Sequence, residues 1–151
     1  MRIGRYLCVL FLAAMTVAAT GCDEKLSDLT GPTPDLEPTF SSISQNIFQS
    51  TDASGRAACI QCHNAVGSRF AAGLNLEASV AYANLVGVAS TQRPELRRVA
   101  PGDPQTSYLI DKLEGRAGIV GQRMPRTAGP FLTEGQMLVI RRWIEIGAPN
   151  N

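Results

Sequence analysis

Cys59-Ile60-Gln61-Cys62-His63 is the stretch on which the rest of this chain turns. Two thiols separated by two residues and followed at once by a histidine form the pattern that covalent attachment of a c-type haem requires. Each thiol can add to one vinyl group of the porphyrin, which carries the adjacent histidine under the iron as its proximal ligand. His63 is the only histidine in the 151 residues, so no other imidazole competes for that place. Two other readings set different conditions. A thiol–disulfide centre expects a thioredoxin-like βαβ pattern around it, which the sequence lacks. A zinc site wants four ligands, and only Cys59, Cys62 and His63 lie close together, with Cys22 far off along the chain.

The start of the chain bears on the compartment. Arg2 and Arg5 precede a nearly uncharged apolar run over residues 6–19, which ends Ala19-Thr20-Gly21-Cys22. A basic start, a short apolar segment and small residues at a cleavage point read as a secretory signal over 1–21. The run is about 14 residues, short of the ~20 a spanning helix needs. Thr20-Gly21-Cys22 resembles the end of a bacterial lipobox, whose cysteine becomes lipidated, although Ala19 stands where leucine is usual. An ordinary signal-peptidase cut after Gly21 is the other reading. Cys22 is the sole cysteine outside the leader and the haem motif, it sits where the lipobox cysteine should, and a flexible segment follows. Those facts favour a lipid anchor at Cys22. Acyl chains, at ~0.8 kcal/mol per buried methylene, would hold the protein on a membrane, on the extracytoplasmic side. Export agrees with the haem motif, since bacterial c-type haem is attached outside the cytoplasm.

Residues 22–39 contain Pro32, Pro34 and Pro38 among five acidic side chains, and they read as a flexible tether. Residues 40–151 follow as one predicted domain, long enough for a single modest core. This stretch carries 11 basic and 8 acidic side chains. So mild a balance describes a solvated surface and gives no indication of a nucleic-acid partner.

Helix signals dominate the domain. Ser41 or Ser42 can cap a helix running through Gln49, with Ile43, Ile47 and Phe48 on one side. A second helix is expected over 77–86, ended by Gly87. Asp103-Pro104 opens a third, which stops at Gly115. Thr133 and Gln136 form a capping box for the last, whose wide apolar face includes Met137, Ile140, Trp143 and Ile144. The fold class expected is mainly α.

With one histidine on the iron, the sixth position falls to methionine. Met1 and Met15 belong to the leader, leaving Met124 and Met137. Met124, in Arg123-Met124-Pro125, lies between two helices, 61 residues after His63. Pro125 restricts it to extended backbone. Met137 falls within the last helix, where a methionine more often fills the core. Met124 is therefore the expected ligand.

The order of Cys59-Ile60-Gln61-Cys62-His63, then Arg123-Met124-Pro125, then Trp143-Ile144-Glu145-Ile146-Gly147-Ala148 resembles a monohaem class I-type cytochrome c. Pro101-Gly102-Asp103-Pro104 and Leu132-Thr133 are similar to planctomycete-type domains of that kind. The resemblance implies one haem c packed among helices, an N-terminal and a C-terminal helix crossing near it, and iron held by His63 and Met124. In many such proteins a proline soon after the motif supplies the carbonyl that orients the histidine. Here the first proline after His63 is Pro94, so the carbonyl must come from elsewhere, near Gly73-Leu74.

The function expected is one-electron transfer with unidentified redox partner proteins, without chemical turnover. The main alternative is a haem enzyme or gas sensor in which Met124 is off the iron or easily displaced. A haem-bearing subunit of a larger redox complex is a third reading. Arg69, Arg97, Arg98 and Arg123 can reach haem carboxylates, and Trp143 can donate to one, with solvated surface and helix packing as their ordinary roles.

Overall fold

The computed structural model describes residues 31–33, 35–65, 71–126 and 129–151. The expected signal over 1–21, Cys22, most of the expected tether and Arg69 lie outside the described residues.

Helix α1 begins at Phe40–Ile43 and continues as a π-helical turn, Ser44–Phe48. Its N-cap is Thr39 rather than Ser41 or Ser42: the Thr39 hydroxyl accepts from the Ser42 amide at 3.2 Å. Ser42 is occupied differently, accepting from the Glu37 amide at 3.0 Å. The wide turn leaves four carbonyls to satisfy at the C-terminal end. Ser44 accepts from the Gln49 amide and Gln45 from the Ser50 hydroxyl. Asn46 and Ile47 accept from the Arg56 guanidinium.

The expected helix over 77–86 shrinks to α2, Ala81–Leu85. Asn75 accounts for the late start, because its side chain accepts from the Glu77 amide at 2.8 Å and holds a turn there. The expected third helix divides in two. Asp103 accepts from the amides of Gln105 and Thr106 and starts a short 3₁₀ turn, Pro104–Thr106. Ser107 is then extended, and α3 runs over Tyr108–Glu114. Its first two amides bond to the Arg97 and Arg98 carbonyls at 2.9 Å each, which replaces a side-chain cap. The last helix, α4, spans Glu134–Glu145 and carries the expected Thr133–Gln136 capping box.

Among the described residues extended pairing is limited to isolated bridges, such as Val86 with Val99, so the fold is mainly helical. No helix there is long and apolar enough to cross a membrane. The N-terminal and C-terminal helices meet through Phe40, whose ring centroid lies 5.8 Å from that of Trp143 and 5.1 Å from that of Tyr82. Ile43, Ile47, Ile140 and Ile144 fill the core around them, and Met137 belongs to it as its helical position suggests. Trp143 is fully buried and donates to the Pro149 carbonyl at 2.9 Å, so packing is its role.

The expected tether boundary at residue 39 is corrected. Leu36 is 1% exposed within the core, and buried Thr33 accepts from the Gln136 amide nitrogen at 3.0 Å. Proline and charge give this segment a linker's composition, but a single leucine suffices to dock it. Leu36→Ala should cost about 2–5 kcal/mol, as a core truncation does, whereas a residue on a free linker would change stability by less than ~0.5 kcal/mol. Urea unfolding of the two proteins measures the difference.

Arg56 connects this core to the motif that follows. Fully buried, it donates to the Asp52 carboxylate at 2.9 Å and to the carbonyls of Asn46, Ile47, Ser50 and Ala57. Burial disfavours the Asp52 anion, but the Ser54 hydroxyl and the charge and hydrogen bonds of Arg56 outweigh it and hold the carboxyl below its ordinary value. Breaking a buried pair from one side costs about 3–5 kcal/mol, and Asp52→Asn should lose that much at neutral pH. The contribution is complete above the unfolded aspartate value of about 3.9 and fades as pH falls through the lower folded value. Urea titrations across that range should therefore show a shallower acid limb in the variant.

Candidate functional site

The motif follows directly from the Arg56 knot. Cys59–Gln61 form a 3₁₀ turn, and the amides of Cys62 and His63 both donate to the Cys59 carbonyl, at 3.2 and 3.0 Å. Asn64 closes the turn from below, its side chain donating to the Ile60 carbonyl at 2.6 Å. The His63 carbonyl accepts from the Leu76 amide at 2.8 Å. Backbone bonds on both sides thus fix where the two thiols and the imidazole stand.

All three face a cavity of about 590 Å³, and Met124 lines the same cavity from the loop before α4. That volume falls within the ~300–1,000 Å³ of small-molecule and cofactor pockets. Phe48, Leu74, Leu76, Leu85, Leu113 and Leu132 supply much of the wall. Met137 is not among the lining residues; it lies in the core cluster.

The chemistry of the donors separates the possible occupants. Cys59 and Cys62 are free thiols. Burial pushes the Cys59 thiol up to about 11, and the nearby Arg56 charge only partly offsets it. A nucleophilic cysteine of a disulfide oxidoreductase needs the opposite shift. Among the described residues no three His, Cys, Asp or Glu side chains converge as a ligand set for a bare ion. A haem asks for something else: two thiols and an imidazole at separate points of one macrocycle, and apolar walls around it. The residues present fit that group.

His63 adds a specific observation. Its Nδ1 is buried and has no hydrogen-bond partner among the described residues. Burial holds the imidazole below its ordinary value, opposed by the backbone of Leu74 and Ala71 and reinforced by the charges of Arg98 and Lys112. Burial thus favours the neutral ring, the form that can act as a ligand. The 71–74 backbone lies on the side where an orienting carbonyl is expected, although no hydrogen bond to Nδ1 is formed there.

Charged groups on the lining are all cationic: Arg56, Arg98, Lys112 and Arg126 accompany His63, without a carboxylate among them. Such a lining suits a ligand that carries carboxylates. Of the arginines expected to reach one, Arg98 faces the cavity but donates to the carbonyls of Ala72, Gly73 and Asn84. Arg97 donates to Gly87. Arg123 donates to Leu113 and lies 3.9 Å over the Phe131 ring.

Sequence reading missed Arg56, Asp52, Tyr108 and Lys112. The first two stand four apart with opposite charge, a spacing that signals a pair. Lys112 interrupts an apolar run four residues after Tyr108, and both reach the loop that carries Met124. Burial and then the charge of Arg126 pull the Lys112 ammonium below its ordinary value. No protein family, curated protein or solved structure was found to match the chain, which leaves its own residues and their geometry as the ground for assigning a function.

Proposed function

We propose that this chain is a monohaem c-type cytochrome, of the class I type it resembles, that carries single electrons between protein partners. The observation that carries the reading is one cavity lined by Cys59, Cys62, the only histidine and Met124. Cys59 and Cys62 would hold the haem through thioethers, and His63 and Met124 through its iron. When bound, the group supplies an iron that gains and loses one electron. The chain's own part is to present a neutral imidazole and a soft sulfur, which favours the reduced state, and to keep water from the apolar walls. The cationic lining favours the reduced state too, since it is less positive. The reading is of an electron carrier.

Location belongs to the same proposal. Export through the 1–21 signal and lipidation at Cys22 would place the domain on the extracytoplasmic face of a membrane. Thr33 and Leu36 dock on the domain, so the effective tether runs from Cys22 only to about residue 32. A shorter tether would keep the domain nearer its membrane and partners there.

Co-expression with haem-attachment machinery tests the reading. The wild type should retain haem colour on a denaturing gel, and Cys59→Ser with Cys62→Ser should lose it. In the ferric wild type a weak long-wavelength charge-transfer band should report thioether sulfur on iron. Met124→Ala should abolish that band, admit CO to the reduced protein, and lower the potential by tenths of a volt within the ~0.8 V that axial ligands span. A wild type that is already high-spin and binds CO rapidly would instead support a sensor or enzyme. Cys22→Ser should move the protein from the membrane to the soluble fraction, read by fractionation.

A further inference from the structure

The loop that bears Met124 is laced to α3 through its backbone. The Val120 amide donates to the Tyr108 hydroxyl at 3.0 Å, and the Met124 amide to the Lys112 carbonyl at 2.8 Å. Between these, the Lys112 ammonium donates to the carbonyls of Val120 and Gln122 at 2.8 and 2.7 Å. Tyr108 and Lys112 are one helical turn apart on the same face of α3. Lys112 therefore touches the loop three times, twice with its side chain and once with its backbone.

Burial holds little of this loop over residues 120–122. Val120 is 45% exposed, and Gly121 and Gln122 are exposed beside it. Gly118 and Gly121 add backbone freedom that must be lost when the loop orders. Lys112 is buried all the same, and among the described residues no carboxylate pairs with it. A buried ammonium bound only by neutral carbonyls is costly, and a hydrophobic side chain of similar length would pack there at less cost. The position of those carbonyls is what the ammonium secures. Gly115 helps from the helix end: a Cβ there would meet the Arg123 stem at 3.1 Å, so the bare glycine lets the chain turn back toward Met124.

We propose that Lys112 is a positioning residue for Met124, clamping the 120–124 loop so that the thioether resists displacement by outside ligands. This rests on the reading of Met124 as the sixth ligand. Loss of two charge-assisted hydrogen bonds should shift the loop toward open states by about tenfold to a hundredfold.

Imidazole titration of the ferric, haem-loaded protein reads that shift. Lys112→Met should bind imidazole about ten to a hundred times more tightly than the wild type and show a weakened charge-transfer band, while Lys112→Arg should recover most of the wild-type resistance. Leu36→Ala, which weakens the core but removes none of these hydrogen bonds, should leave imidazole affinity unchanged. Equal gains in Leu36→Ala and Lys112→Met would overturn the proposal, since general destabilisation would then explain both. A Lys112→Met protein with wild-type imidazole affinity would overturn it as well. Should Lys112→Met fail to fold, Lys112→Gln decides: imidazole affinity raised well above that of Lys112→Arg sustains the clamp, and equal affinity in the two refutes it. A wild type without the charge-transfer band would remove Met124 from the iron, and that outcome sinks the proposed ligation itself.

Discussion

Arg56 spends all five of its N–H groups inside the protein, on one carboxylate oxygen and four carbonyls. Two of those carbonyls belong to the end of α1, where a helix leaves acceptors unsatisfied, and a cation is favourable at that pole. A third belongs to Ala57, two residues before Cys59. One side chain therefore terminates the N-terminal helix and starts the motif. Cys59 repeats the connection on a smaller scale, its thiol meeting the Ile47 carbonyl at 3.5 Å. The core holds α1 in place through Phe40 and Trp143, so the thiols inherit their position from the packing of the two terminal helices.

The two walls of the cavity are held in different ways. On the His63 side, a turn is fixed by backbone bonds and backed by buried groups. On the Met124 side, the loop is open to solvent and owes its position to hydrogen bonds from α3. Helix α3 is in turn fastened to α4 by the pair between Glu114 and Arg141. Under the proposed ligation, the iron would sit between a histidine on a backbone-fixed turn and a methionine kept in place by hydrogen bonds. Changes at the loop would alter ligand exchange before they altered haem attachment.

What could be read from the sequence was chiefly local. The Cys-x-x-Cys-His motif, the Thr133–Gln136 box and the choice between Met124 and Met137 all rest on spacing or on a residue's place in a helix. The structure gathers Cys59, Cys62, His63 and Met124 at one cavity. Boundaries were harder. Leu36 looked like linker because composition cannot show that a leucine reaches a core formed by residues 100 positions away. The helix expected over 77–86 lost its first turn to Asn75, a competing side-chain bond, and Ser107 broke the next one because the 97–98 carbonyls offered its neighbours better partners. Arg56 and Lys112 escaped notice for one reason. A charged residue is read as solvated by default, and only the folded chain shows carbonyls gathered around it.

Those hidden cations also bear on redox poise. Arg56, Arg98 and Lys112 are buried beside the cavity, and Arg98 and Lys112 bond only to neutral carbonyls among the described residues. Asp52 neutralises Arg56, whereas the charge of Arg98 and Lys112 is spread over backbone dipoles without being cancelled and acts at longer range than it would in water. Burial first, and then the charges of Arg98 and Lys112, already lower the proton affinity of His63. An iron in its place would feel that field in the same sense, with the more positive oxidation state disfavoured. Sulfur ligation, apolar walls and buried cations would all push the potential upward, and two haem carboxylates would be the counterweight. The cations that position the backbone would thus also tune the electron's energy, which ties the architecture of the loops to the redox chemistry proposed for the site.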